Sequence, residues 1–169
     1  MPLDAVKTHL DNWSEFQKIS LSDKQKEGVL NALTHPVSIL TGYPGTGKTQ
    51  SVKAIVSILA ENCIDFLLCA PTGIAAKRLA TVTGYEATTI HSALMATSGD
   101  LSDMDGSSEG SYIGLDTTLD KNNVNWDWGY TEDNPHPASV IIVDESSMLD
   151  LAVLTSILKA TREDASILF

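Results

Sequence analysis

The sequence predicts an α/β fold, a parallel sheet with helices on both faces and a small inserted element that reads as a β-hairpin. Three observations predict it. Short apolar runs alternate with stretches of helical spacing, which builds parallel strands joined by right-handed crossovers. A glycine-rich turn, "LTGYPGTGKTQ", stands between one such run and one such stretch. A later apolar run ends in two adjacent carboxylates, "VIIVDE". A parallel sheet presents ligands at the carboxyl ends of its strands, and the last two features fall there.

Taken in order, residues 3–18 predict an amphipathic helix with Leu3, Val6, Leu10, Trp13 and Phe16 on one stripe. "LSDKQKEGVLNAL" starts a second helix at a Ser22 or Asp23 cap. "VSIL" reads as a buried strand running into the glycine-rich loop. From Lys48 the pattern is helical to about Glu61, with Val52, Ile55, Val56 and Leu59 repeating at three and four. "DFLLCA" is a second buried strand and "TGIAAKRLATV" the helix after it. "ASVIIVDE" is a third strand, followed by a helix from about Asp150, and "SILF" begins a fourth.

The 169 residues suit one domain with a real core. No apolar run approaches the roughly 18 residues that span a bilayer. The amphipathic N-terminus lacks the regions of a secretory signal. Cys63 and Cys69 lack CxxC spacing and read as buried, reduced thiols of a cytoplasmic protein. The net charge of −11 argues against a nucleic-acid partner until its distribution is considered. Residues 97–137 hold nine of the acids and a single base, Lys121, so that segment carries −8. Its first half is rich in Ser, Gly and Asp and reads as turn-rich. Its second half alternates apolar and polar positions around a turn at Lys121, Asn122 and Asn123, which suggests the hairpin.

Gly42 to Thr49 fit the pattern GxxxxGK[ST] of a phosphate-binding loop. Small residues let backbone N–H groups turn inward around phosphate oxygens, and the following helix points its positive end at the same anion. The cradle is assigned to Gly42, Pro44, Gly45, Thr46, Gly47, Lys48, Thr49 and Gln50. Lys48 would neutralise the β and γ phosphates of ATP, and the Thr49 hydroxyl would ligate Mg²⁺. Asp144 would hold the same ion, through water or directly, and Glu145 would polarise the attacking water. A carboxylate in that place marks a nucleotide hydrolase that drives motion rather than a small-molecule kinase.

Two further stretches, "LLCAPTGIAAKRL" and "GYEATTIHSAL", join the loop and "DESSM" in an order and spacing that resemble the RecD/Dda-like group of superfamily 1 DNA helicases. The resemblance runs from about Leu21 to the end, with a gap in the acidic segment. It implies a RecA-like P-loop NTPase fold and an ATP-dependent motor that moves 5′ to 3′ on single-stranded DNA as a monomer. It implies that Gln25 reads the adenine edge, and that Pro71, Thr72, Thr89 and His91 contact the strand. For His91 a helix-capping or core role stands beside that one. By the same resemblance, residues 21–96 and 138–169 form the first motor domain, preceded by an amphipathic segment, 1–20, and interrupted by a pin subdomain, 97–137. Trp126, Trp128 and Tyr130 would either stack on the fork base pair or pack the insert onto the domain. The insert's acidity departs from the family pattern: it would repel the displaced strand, contact a protein partner or act as a spacer. A P-loop ATPase that remodels protein through this insert is the alternative. The chain ends before the Gly-Asp-x-x-Gln segment and second motor domain of such helicases, so slow hydrolysis is expected of these 169 residues alone.

Overall fold

The computed structural model describes residues 1–43, 45–98 and 126–169. Along the chain run α1 (Leu3–Gln17), α2 (Asp23–Thr34), β1 (Val37–Ser38), α3 (Lys48–Glu61), β2 (Phe66–Ala70), α4 (Gly73–Thr83), β3 (Thr88–Thr89), α5 (Ile90–Ala93), β4 (Thr97–Ser98), β5 (Trp126–Asp127), β6 (Val140–Val143), a 3-10 turn (Ser146–Met148), α6 (Leu151–Ala160) and β7 (Ser166–Leu168).

An apolar residue at every position of β6 lets that strand bury both faces, and all four of its residues are buried. It sits at the centre of a five-stranded sheet of order β1-β7-β6-β2-β3, every pair parallel. The register places Leu68, Ile142 and Leu168 in one row and Leu67, Ile141 and Ile167 in the next. Side chains alternate between faces along a strand, so these rows enter different cores. Leu68, Val140, Ile142 and Leu168 pack with α1, α2, α3 and Leu79 of α4. Cys69, Ile141, Val143 and Ile167 pack with α5 and α6. Helices on both faces follow from this division, as the sequence predicts. Ile141 and Ile142, at 0 and 2% exposure, each contribute about 1.5–3 kcal/mol of hydrophobic burial.

Three expectations about burial are overturned. "VSIL" is not a buried strand: β1 lies at the sheet edge, and Val37 and Ile39 are 60 and 75% exposed. Its row-mate Ile167 is covered by the second core, but that cover runs out at the edge. In α1 only Val6, Leu10 and Trp13 are buried. Phe16 falls about 60° around the helix from Trp13 and is exposed, as is Leu3 in the first turn. Cys63 is exposed just past the end of α3, while Cys69 is buried and its thiol pushed up to about 12 by desolvation. The structure also adds β3, two threonines with no apolar run to announce them, on the far edge beside β2.

β4 and β5 form a separate antiparallel pair that matches Thr97 with Asp127 and Ser98 with Trp126. The chain after β5 is tied back by Gly129 and Tyr130, whose N–H groups donate to the Leu94 carbonyl at 3.1 and 3.3 Å. The hairpin turn expected at 121–123 lies outside the described residues.

Candidate functional site

Because the sheet is parallel, the ends of β1, β6, β2 and β3 open on one edge, and every residue predicted for the nucleotide, metal or strand contacts except Gln25 follows one of those ends. At the first, Leu40 continues the pairing beyond β1 by donating its N–H to the Phe169 carbonyl at 2.7 Å. The chain then enters the glycine-rich loop, where Gly42, Gly45 and Thr46 are exposed; Pro44 lies outside the described residues. Gly45 and Gly47 take φ of +77° and +81°, a region that favours glycine. Gly47 is the N-cap of α3 and offers no side chain to its first turn, so the amide ends of Lys48 and Thr49 form a helix N-terminus suited to an anion. A Cβ on Gly42 would meet Thr46 Oγ1 at 2.7 Å, which keeps the loop narrow.

Lys48 turns back into this loop. Its Nζ donates to the carbonyl oxygens of Gly42 at 2.5 Å and Tyr43 at 3.4 Å. The ammonium is thus held by neutral acceptors, which the anionic oxygens of a phosphate would replace with ionic partners.

Gln25 approaches the loop from α2. It completes a capping box with Ser22, whose N–H donates to Gln25 Oε1 at 2.7 Å while Ser22 Oγ accepts from Gln25 N. Its Nε2 donates to the carbonyls of Thr46 at 3.1 Å and Gly47 at 3.4 Å. So the side chain ties α2 to the loop, a role its place in the sequence does not announce. Reading an adenine edge would require it to exchange these bonds. The Ser22 half of the arrangement is legible as the S-x-x-Q spacing.

At the end of β6, Asp144 is half-buried and its N–H donates to the Cys69 carbonyl at 3.0 Å, extending the ladder. Glu145 follows in the left-handed region, φ 53° and ψ 38°, and starts the 3-10 turn. Its carboxylate lies 3.7 Å from the Arg78 guanidinium of α4. Sequence reasoning missed Arg78, which has no spacing signal linking it to Glu145. One strand, β7, separates β1 from β6, so the loop and the acidic pair stand roughly two strand spacings, about 10 Å, apart along the edge.

The candidate strand contacts sit at the ends of β2 and β3. Thr72 caps α4 by accepting from Ala75 N at 3.3 Å, and Thr89 caps α5 by accepting from Ser92 N at 3.2 Å. Pro71 and His91 are half-buried beside them. The His91 ring lies against Trp128, centroids 5.5 Å apart and planes tilted by 31°. Burial lowers its pKa, and the charge of Asp150 opposes that shift. Trp128 and Tyr130 both pack on the second core, so these two aromatics hold the chain after β5 against it. The side chain of Trp126 lies outside the described residues.

For Mg²⁺, the Thr49 hydroxyl and the Asp144 carboxylate are hard oxygen donors of the kind that ion prefers. No group of three or more His, Cys, Asp or Glu that could hold a metal occurs among the described residues. The two oxygen donors fit an ion that completes its shell with waters and substrate phosphates.

Comparison with known proteins agrees with this fold. A family model described as an AAA domain matches residues 25–169. The chain is 32% identical over 160 residues to the ATP-dependent RecD2 DNA helicase of Deinococcus radiodurans, covering 94% of this chain and 19% of that protein. It is 32% identical over 162 residues to the RecBCD enzyme subunit RecD of Haemophilus influenzae, covering 90% and 24%. The chain therefore spans about a fifth to a quarter of the length of these relatives. Among solved structures, that of Bacteroides sp. Pif1 in complex with ADP-AlF4 superposes with a TM-score of 0.52 at 19% identity, covering 89% of this chain and 31% of that one. That likeness concerns the fold.

Proposed function

We propose that this chain, which belongs to the AAA-domain family, is the RecD-like ATP-binding first motor domain of a superfamily 1 ATP-dependent DNA helicase moving 5′ to 3′ on single-stranded DNA. The observation that carries the reading is the placement of the Gly42–Thr49 loop and the Asp144–Glu145 pair on one sheet edge, with Pro71, Thr72, Thr89 and His91 farther along it.

Lys48 leaves the carbonyls of Gly42 and Tyr43 for the β and γ phosphates, and the N-terminus of α3 faces the same oxygens. Gln25 exchanges its bonds to the loop for the adenine edge. Thr49 and Asp144 would hold Mg²⁺, which would supply charge stabilisation at the phosphates. Glu145 orients a water whose oxygen bonds to the γ-phosphorus as the bond to the β–γ bridging oxygen breaks, leaving ADP and phosphate; the water's proton passes to the carboxylate and on to solvent. Strand binding falls to the helix N-terminus and hydroxyls after β2 and β3, contacts that hold a backbone without reading sequence.

The test is ATP hydrolysis by the intact protein that carries this chain, with and without single-stranded DNA, beside Lys48→Ala. The expected outcome is strong stimulation by the strand and its loss in the variant. A Lys48-dependent rate that ignores DNA would refute the helicase reading and leave only the nucleotide site.

A further inference from the structure

Arg78 lies outside every residue given a role above, yet its Nη1 is 3.7 Å from Oε1 of Glu145. We propose that Arg78 is a positioning residue that withholds the Glu145 carboxylate from water activation until a phosphate of the bound strand takes the guanidinium. The proposal rests on the reading of Glu145 as the water-orienting carboxylate.

Three features carry it. The first is the path of α4. The helix is capped by Thr72, on the edge assigned to the strand, and Arg78 follows six residues later, about 9 Å along the axis. One rigid helix therefore connects the strand side of the site to the hydrolytic side. The second is accessibility. The side chains of Arg78 and Glu145 are 67 and 45% exposed, so an arriving phosphate can reach the guanidinium without any packed side chain moving. A guanidinium matches phosphate oxygens in a two-pronged, charge-assisted geometry, whereas 3.7 Å to one carboxylate oxygen is a loose contact easily exchanged. The third is the backbone at Glu145. A non-glycine residue at φ 53°, one residue beyond a buried strand and next to the ladder-tied Asp144, holds its backbone in a sparsely populated conformation, as residues at switch points often do.

An exposed ion pair biases an equilibrium only modestly, which bounds the effect at about two- to fivefold. The experiment uses the intact protein, following ATP hydrolysis against ATP concentration with and without a deoxythymidine oligonucleotide for wild type, Arg78→Ala and Arg78→Lys. Removing the guanidinium is expected to raise the strand-free kcat about two- to fivefold with KM for ATP unchanged, and to shrink stimulation by at least the same factor. Lysine, which keeps the charge, is expected to restore part of the restraint. A strand-free kcat in Arg78→Ala that is unchanged or lower would overturn the proposal while wild-type stimulation stands. A wild-type enzyme that DNA does not stimulate would instead overturn the motor reading, and this inference with it.

Discussion

The ends of β1 and β6 carry the two halves of the candidate site, and they are held by different means. β6 is central, with neighbours on both sides, all four residues buried and Asp144 tied by its own N–H to β2. β1 is an edge of two residues with exposed Val37, and its loop is held by side chains: Lys48 on Gly42 and Tyr43, Gln25 on Thr46 and Gly47. The carboxylate half thus inherits its position from the core. The phosphate half rests on hydrogen bonds that an arriving ligand can replace one for one. The difference teaches that the fixed and adaptable parts of one site can be separated by the strand from which each is hung.

The sharpest way to break the contrast is to remove side chain from the central strand. Ile142→Ala is expected to cost about 2–5 kcal/mol in denaturant unfolding, through lost burial and the cavity left behind. A cost below about 1 kcal/mol would mean β6 is not the rigid platform described. On the adaptable side, Gly47→Ala combines a backbone at φ +81° with a Cβ only 2.2 Å from Gln25 Nε2. The expected loss is about 1–3 kcal/mol of stability together with weakened binding of a fluorescent ATP analogue. Gly84→Ala is the control, because its φ is +79° but its Cβ meets open space. It should lose about 1 kcal/mol and leave nucleotide binding unchanged.

Smaller still is Gln25→Ala, which removes one half of the capping box and the tether on Thr46. Calorimetry should register about 1 kcal/mol, with faster amide exchange around the loop and none across β6. Equal acceleration in both places would erase the distinction between the two halves. The least effect is expected from pH. Burial lowers the pKa of His136, whose Nδ1 accepts the Ala138 N–H at 3.1 Å on the approach to β6. The folded state therefore prefers the neutral ring. This contribution is fully present above the ordinary histidine pKa of about 6.5 and declines as pH falls through it toward the lower folded value. His136→Asn, which keeps an acceptor and does not titrate, should flatten the fall in melting temperature between about pH 7 and pH 5. An unaltered slope would assign the acid sensitivity elsewhere.

Much of the fold was legible because its causes are local. Apolar runs marked β2, β6 and β7, the S-x-x-Q spacing marked the start of α2, and the glycines of the loop marked where the backbone turns left-handed. The edge position of β1 was not legible, since "VSIL" is as apolar as a central strand and burial depends on neighbours. β3 escaped because two threonines carry no hydrophobic period. Trp128 was singled out as an aromatic, but only the folded chain lays it against His91. Phe16 was misplaced because its spacing from Trp13 is helical yet falls off the buried stripe.

By itself, the sequence determined what each segment does with its own backbone and which chemistries it offers: the phosphate loop, its lysine, the adjacent carboxylates and the alternation of strand and helix. Those depend on dihedral freedom, capping and periodicity over a few residues. Only the tertiary structure decided the order β1-β7-β6-β2-β3, the tether from Gln25 to a carbonyl 21 residues away, and the approach of Arg78 to Glu145. Such pairings are set by which strands share a sheet and which helix packs across it, and no local spacing records that choice.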